Sequence, residues 1–176
     1  MLKYTKKLNE KIFVIDDMYD NIDQVESYIK NYPDSYEYHS GDRADMFTSH
    51  HDHKMSELIE DYCSTIQGHV ENIFLSKLKK KNHISAIIYP VGGSKGYHVD
   101  NYHKDSDGVD HDIHVFSAVH FIEQPEKGGE LYFPDLDIKI DSKRNRMVAF
   151  DAKLLHGSME VIEGQKISIN YFWEVE

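Results

Sequence analysis

Lys166-Ile167-Ser168-Ile169-Asn170-Tyr171-Phe172-Trp173, near the end of the 176-residue chain, alternates polar and apolar side chains over its first six positions. Successive side chains of a strand point to opposite faces. Lys166, Ser168 and Asn170 therefore share one face, and Ile167, Ile169, Tyr171 and Trp173 the other. An apolar face to bury and a polar face that lines a cavity mark a strand of a layered β structure. Strand-like runs precede it at 84–89, 97–102, 113–122, 130–133, 138–140, 146–150 and 160–162, punctuated by Gly92-Gly93, Gly128-Gly129 and Gly164. About eight short strands with turn signals between them, preceded by helices, predict an α+β, mainly β fold. The expected architecture is an antiparallel sandwich or double-stranded β-helix (jelly roll) with N-terminal helices packed on one sheet.

The first half of the chain has helical periods. Residues 11–15 predict an opening strand, and Ile22, Val25, Tyr28 and Ile29 a short amphipathic helix stopped by Pro33. Met55, Leu58, Ile59, Tyr62, Ile66, Val70, Ile73, Phe74 and Leu78 recur at steps of three and four, predicting a long helix with Gly68 as its weakest point. Lys77 and Lys79-Lys80-Lys81 are expected to complement the negative end of that helix. Residues 34–53 and 101–112 lack periodicity and are expected as polar loops, either bordering a cavity mouth and selecting substrate or simply solvated. No repeat or linker interrupts the chain. It reads as one domain, 1–176, in which 1–82 supplies the strand and helices and 83–176 the jelly-roll core.

A hydrophobic content of 40% with 29% charged residues is ordinary for a soluble protein. No apolar run approaches the roughly 20 residues of a membrane helix. The basic start passes into a strand without the apolar stretch of a secretory signal, so a cytoplasmic location without membrane attachment is expected. The lone Cys63 falls in the helical stripe, where a buried thiol is expected. A net charge of −11 opposes an electrostatic grip on nucleic acid and more easily accommodates a neutral or basic substrate.

The chain contains three His-x-Asp triplets: His50-His51-Asp52, His98-Val99-Asp100 and His103-Lys104-Asp105. Two histidines and a carboxylate on one side of a metal leave its other side open to ligands. In a strand, residues i and i+2 can offer both groups of such a triplet to one ion. With 12 histidines in the chain, about one such triplet is expected by chance, and polar residues without a metal are the competing reading. Only His98-Val99-Asp100 falls in a strand-like segment after a glycine turn. His156, followed by Gly157 just past another strand, supplies a candidate third ligand. Lys166 then opens the last strand on its polar face. Buried there, it would need an anionic partner to stay charged; the alternative is a strand-end lysine reaching solvent.

Together these residues resemble the prolyl-4-hydroxylase-like branch of the 2-oxoglutarate/iron(II)-dependent dioxygenase superfamily over about residues 84–174. The matching elements are Tyr89-Pro90-Val91-Gly92-Gly93, His98-Val99-Asp100, Gly128-Gly129-Glu130-Leu131-Tyr132-Phe133-Pro134, Met147-Val148-Ala149-Phe150, His156-Gly157 and Gly164-Gln165-Lys166. The resemblance implies an enzyme in which His98, Asp100 and His156 hold Fe(II). Lys166 would pair with the C5 carboxylate of 2-oxoglutarate, Tyr89 would hydrogen-bond it, and Ser168 would join them as a co-substrate contact. Dioxygen would be consumed, succinate and carbon dioxide released and a C–H bond hydroxylated, with ascorbate a candidate reductant. A peptidyl proline and a free amino acid or other small molecule are alternative substrates. A cupin-like metal protein without 2-oxoglutarate, a binding module with a vestigial site and a nucleic-acid demethylase are rival readings. Lys166 speaks against all three, the last because those enzymes usually carry arginine there. The chain departs from the family pattern in the additional Gly96, the charged segment after Asp100, and His120 where many members have tyrosine.

Overall fold

The computed structural model describes residues 5–31, 36–39, 43–47, 53–80, 85–104, 110–112 and 114–176. The chain opens with β1 (Thr5–Asn9) and β2 (Ile12–Ile15), followed by α1 (Ile22–Lys30), β3 (Tyr36–His39), β4 (Arg43–Phe47) and α2 (His53–Phe74). Then come β5 (Ser85–Tyr89), β6 (Lys95–His98), β7 (Tyr102–Lys104), β8 (Asp110–Asp112), β9 (Phe116–Glu123), β10 (Lys127–Gly128) and β11 (Leu131–Phe133). The last are β12 (Ile138–Ile140), β13 (Arg146–Asp151), β14 (His156–Ser158), β15 (Val161–Glu163) and β16 (Lys166–Trp173). None of the described helices is long and apolar enough to cross a membrane.

Eight strands form the main sheet in the order β1-β2-β13-β9-β16-β5-β4-β3, and four form a smaller sheet, β12-β11-β14-β6. The two sheets make a double-stranded β-helix that does not close into a barrel. The alternation of β16 decides the layering. Ile167, Ile169, Tyr171 and Trp173 join one apolar cluster with the buried stripes of the helices, Ile22, Val25 and Ile29 of α1 and Ile59, Tyr62, Ile66 and Val70 of α2. Each large side chain fully buried there contributes roughly 1.5–3 kcal/mol, which is why the helices lie on this face. A second cluster, with Val119, Phe121, Leu131, Phe133, Val148 and Phe150, fills the space between the sheets.

Five local expectations are corrected. Within 34–53, β3 and β4 form a hairpin that extends the main sheet beyond β5. Pairing with an exposed sheet edge satisfies backbone groups whatever the side-chain period, so periodicity carries no sign of it. Within 101–112, β7 and β8 likewise pair as a hairpin. The long helix ends at Phe74 rather than Leu78: Leu75 turns to φ 52°, and the Glu71 carboxylate accepts the Leu78 N–H at 2.9 Å. The lysines beyond it therefore do not cap the helix; Lys77 pairs with Glu71 at 3.3 Å and Lys79 with Glu174 at 2.5 Å. Finally, β6 stops at His98, so the strand period does not hold Asp100. Pro33 and Lys81 lie outside the described residues. Cys63 is buried as expected, its Sγ 3.2 Å from the Tyr171 hydroxyl.

Candidate active site

Strands β6 and β14 are neighbours in the smaller sheet, and their register sets His98 opposite His156. The two imidazoles lie side by side with ring centroids 4.4 Å apart. Asp100, two residues beyond His98, is held by its own backbone: its N–H donates to the Ala152 carbonyl at 2.9 Å. That contact returns the carboxylate to the histidines. Asp100 Oδ1 is 3.3 Å from His98 Nε2, and Oδ2 is 3.3 Å from His156 Nε2. All three donor atoms lie within 4.8 Å of one another, a spacing one ion can bridge. Of the other triplets, His50-His51-Asp52 and Asp105 lie outside the described residues.

The ring nitrogens facing away from this centre fix the tautomer. His98 Nδ1 donates to the Gly96 carbonyl and His156 Nδ1 to the Leu154 carbonyl, each at 2.9 Å. A neutral imidazole with its proton on Nδ1 presents a bare Nε2 lone pair, as a metal ligand must. Without a cation, the two Nε2 atoms can satisfy Asp100 only as protonated rings. In that state burial pushes the Asp100 carboxyl up, but hydrogen bonds from His156 and His98 outweigh it and hold the group well below the usual carboxylate range. A divalent ion replaces both protons, so these donors fit Fe(II). The departure at Gly96 thus marks a residue whose carbonyl orients His98. Gly157 permits the close strand contact, since a Cβ there would lie 2.8 Å from the Tyr97 ring and 2.9 Å from the Lys95 carbonyl oxygen.

Lys166, 2% exposed, pairs across β16 and β5 with Tyr89. Its Nζ donates to the Gly129 carbonyl at 3.0 Å and to the Ser158 hydroxyl. Among the described residues no carboxylate reaches ion-pairing distance of it. Burial therefore lowers its pKa to about 7, only partly opposed by the charge of Glu130. A carboxylate entering beside this lysine would favour its charged form. Gly129, at φ 76°, leaves room for it: a Cβ there would come within 3.3 Å of Lys166 Cδ.

These groups line one cavity of about 410 Å³ including its open mouth, walled on the apolar side by Val119, Phe121, Leu131 and Phe172. Tyr89 and Ser168, each 2% exposed, line it too. Sequence reasoning missed Ser158, although it stands two residues after His156 and so on the same strand face. His120 is on the other side of the main sheet. It contacts the Tyr62 hydroxyl through Nδ1 at 2.5 Å and Asn145 Oδ1 through Nε2 at 3.1 Å, tying α2 to the sheet.

Residues 83–174 match the family model of the 2OG-Fe(II) oxygenase superfamily. A comparison with curated protein sequences finds no match. Among solved structures, a Pseudomonas putida prolyl-4-hydroxylase superposes with a TM-score of 0.73 at 11% identity, over 94% of this chain and 93% of that one. The viral collagen prolyl hydroxylase of Paramecium Bursaria Chlorella virus-1, in complex with 2OG, gives 0.70 at 19% identity over 94% and 95%. A Trichoplax adhaerens prolyl hydroxylase, in complex with a hypoxia inducible factor oxygen degradation domain peptide fragment, gives 0.69 at 13% identity over 94% and 84%. At these identities the structures share a fold with this chain. The family match over more than half of the chain shows more: the protein belongs to the 2OG-Fe(II) oxygenase superfamily and is an iron(II)- and 2-oxoglutarate-dependent dioxygenase.

Proposed function

We propose that His98, Asp100 and His156 hold the iron, that Lys166 holds the distal carboxylate of 2-oxoglutarate with Tyr89 and Ser168 beside it, and that the enzyme hydroxylates a prolyl residue in a peptide. The observation that carries the assignment is Lys166, a buried lysine without a carboxylate partner among the described residues, in the cavity that also holds the three-donor cluster. Iron with 2-oxoglutarate and dioxygen supplies oxidative decarboxylation to succinate and carbon dioxide, with one oxygen atom entering a substrate C–H bond. The protein supplies position. His98 and His156 offer neutral Nε2 donors locked by backbone carbonyls, and Asp100 contributes the negative charge. Lys166, oriented by the Gly129 carbonyl that accepts from its Nζ, and the Ser158 hydroxyl fix one end of the co-substrate. Val119, Phe121, Leu131 and Phe172 keep water from the reacting centre.

The peptide half of the reading is supported by the resemblance to prolyl hydroxylases and by the neighbour in complex with a peptide fragment. Wild-type protein with Fe(II), 2-oxoglutarate and a panel of proline-containing peptides and free amino acids is the direct test, read by succinate release and by mass spectrometry. A gain of one oxygen atom on a peptide proline is expected. Oxygen gain confined to a free amino acid would move the assignment to small-molecule hydroxylation, and iron-independent or absent turnover of 2-oxoglutarate would overturn it altogether.

A further inference from the structure

Asp100 stands outside strand β6, yet its carboxylate sits between two imidazoles that strand register fixes. Four hydrogen bonds account for this. The Val115 N–H donates to the Trp173 carbonyl at 2.8 Å, the Ala152 N–H to the Val115 carbonyl at 3.0 Å, and the Asp100 N–H to the Ala152 carbonyl at 2.9 Å. The fourth link is a side chain: His114 Nδ1 donates to the Asp100 carbonyl at 2.9 Å. Because His114 and Val115 are consecutive, the chain of contacts closes on itself around Asp100. The His114 ring also lies against Phe172, centroids 5.6 Å apart and planes 32° apart, and Phe172 lines the cavity.

We propose that His114 is a positioning residue for the metal: by holding the peptide plane after Asp100 it fixes the direction in which that carboxylate faces His98 and His156. The argument is geometric. A residue past a strand end has no ladder to hold its φ and ψ, and the main-chain bond to Ala152 fixes only the N–H side of Asp100. Rotation of the following peptide plane is opposed by His114. Its tilted contact with the Phe172 ring holds the imidazole in turn, so the cavity wall and the carboxylate are braced by one side chain. The inference rests on the reading of Asp100 as a ligand.

The test uses full-length, metal-free protein titrated with Co(II) and followed by visible absorption, with thermal unfolding of the metal-free forms alongside. H114F keeps a ring against Phe172 but loses the donor. H114N loses the ring but keeps an N–H able to reach the same carbonyl. Groups that orient metal ligands typically change affinity by about 10–100-fold, so H114F is expected to bind Co(II) at least about tenfold more weakly, with an altered absorption band. H114N should retain most of the wild-type affinity, and both should unfold within a few degrees of wild type. Wild-type affinity and spectrum in H114F would overturn the proposal. So would equal loss of affinity in both variants together with a fall in unfolding temperature. Failure of the wild-type protein itself to bind Co(II) would instead overturn the metal-site assignment on which the proposal stands.

Discussion

The ammonium of Lys166 lies 4.1 Å from the centre of the Tyr89 ring, the residue paired with it across β16 and β5. The ring face and the Ser158 and Gly129 oxygens stabilise a cation that has no carboxylate partner among the described residues. Charge-assisted hydrogen bonds contribute about 1.5–3 kcal/mol, or roughly 10–100-fold in binding. Lys166→Ala should therefore weaken 2-oxoglutarate binding by about that factor while Co(II) affinity changes little. Calorimetry with each ligand separates the two; equal loss of both would make the lysine structural.

The same residue predicts a pH dependence. Its pKa is about 7 without a ligand, against an ordinary 10.5. Above pH 7 the free protein must take up a proton at Lys166 to bind an anion. The 2-oxoglutarate dissociation constant should thus rise from pH 7 toward about pH 9, by up to about tenfold per unit. Calorimetry in buffers of different ionisation enthalpy should show the uptake. For folding the sign is set by the unfolded lysine, which keeps its proton to about pH 10.5. Below pH 7 the unliganded fold bears the whole penalty, and it regains stability as pH rises from 7 to 10.5. Lys166→Met should remove that part of the slope.

Asp100→Ala and His98→Ala each remove one of three donors. Succinate formation should fall by at least about 100-fold in either, with Co(II) affinity lowered by about tenfold or more. Turnover near wild type in Asp100→Ala would place the metal elsewhere.

Gly157 lies between the two histidine-bearing strands where a Cβ would meet Tyr97 and the Lys95 carbonyl. Gly157→Ala must push β6 from β14 and with it His98 from His156. The expected result is weaker Co(II) binding with Lys166-dependent anion binding retained, as measured by titration of each.

Tyr62→Phe removes the hydroxyl that meets buried His120. Loss of that buried hydrogen bond should lower stability by about 0.5–1.5 kcal/mol. The Michaelis constant for 2-oxoglutarate should not move, because His120 is on the helix side of the sheet. Denaturant unfolding with steady-state kinetics checks both.

Much of this was legible in the chain itself. Alternation in β16 predicted which residues face the helices and which the cavity, because a strand has a period of two and one face had to be buried. The helical stripes of α1 and α2 were legible for the same reason at a different period. The cluster of His98, Asp100 and His156 was expected from residue types and order, and the structure brings these residues together.

What the sequence by itself determined was therefore whatever local periodicity and residue chemistry dictate: layers, faces and the candidate donors. Only the tertiary structure decided how those donors meet. Strand register set His98 beside His156, while Asp100, beyond the strand end, is aimed by hydrogen bonds to Ala152 and His114, residues 52 and 14 positions away, and no local pattern encodes such contacts. The same holds for the β3–β4 hairpin, for His120, which faces Tyr62 rather than the cavity, and for Ser158 beneath Lys166. Each depends on which distant segments share an edge or a cavity, and that is settled only when the two sheets pack.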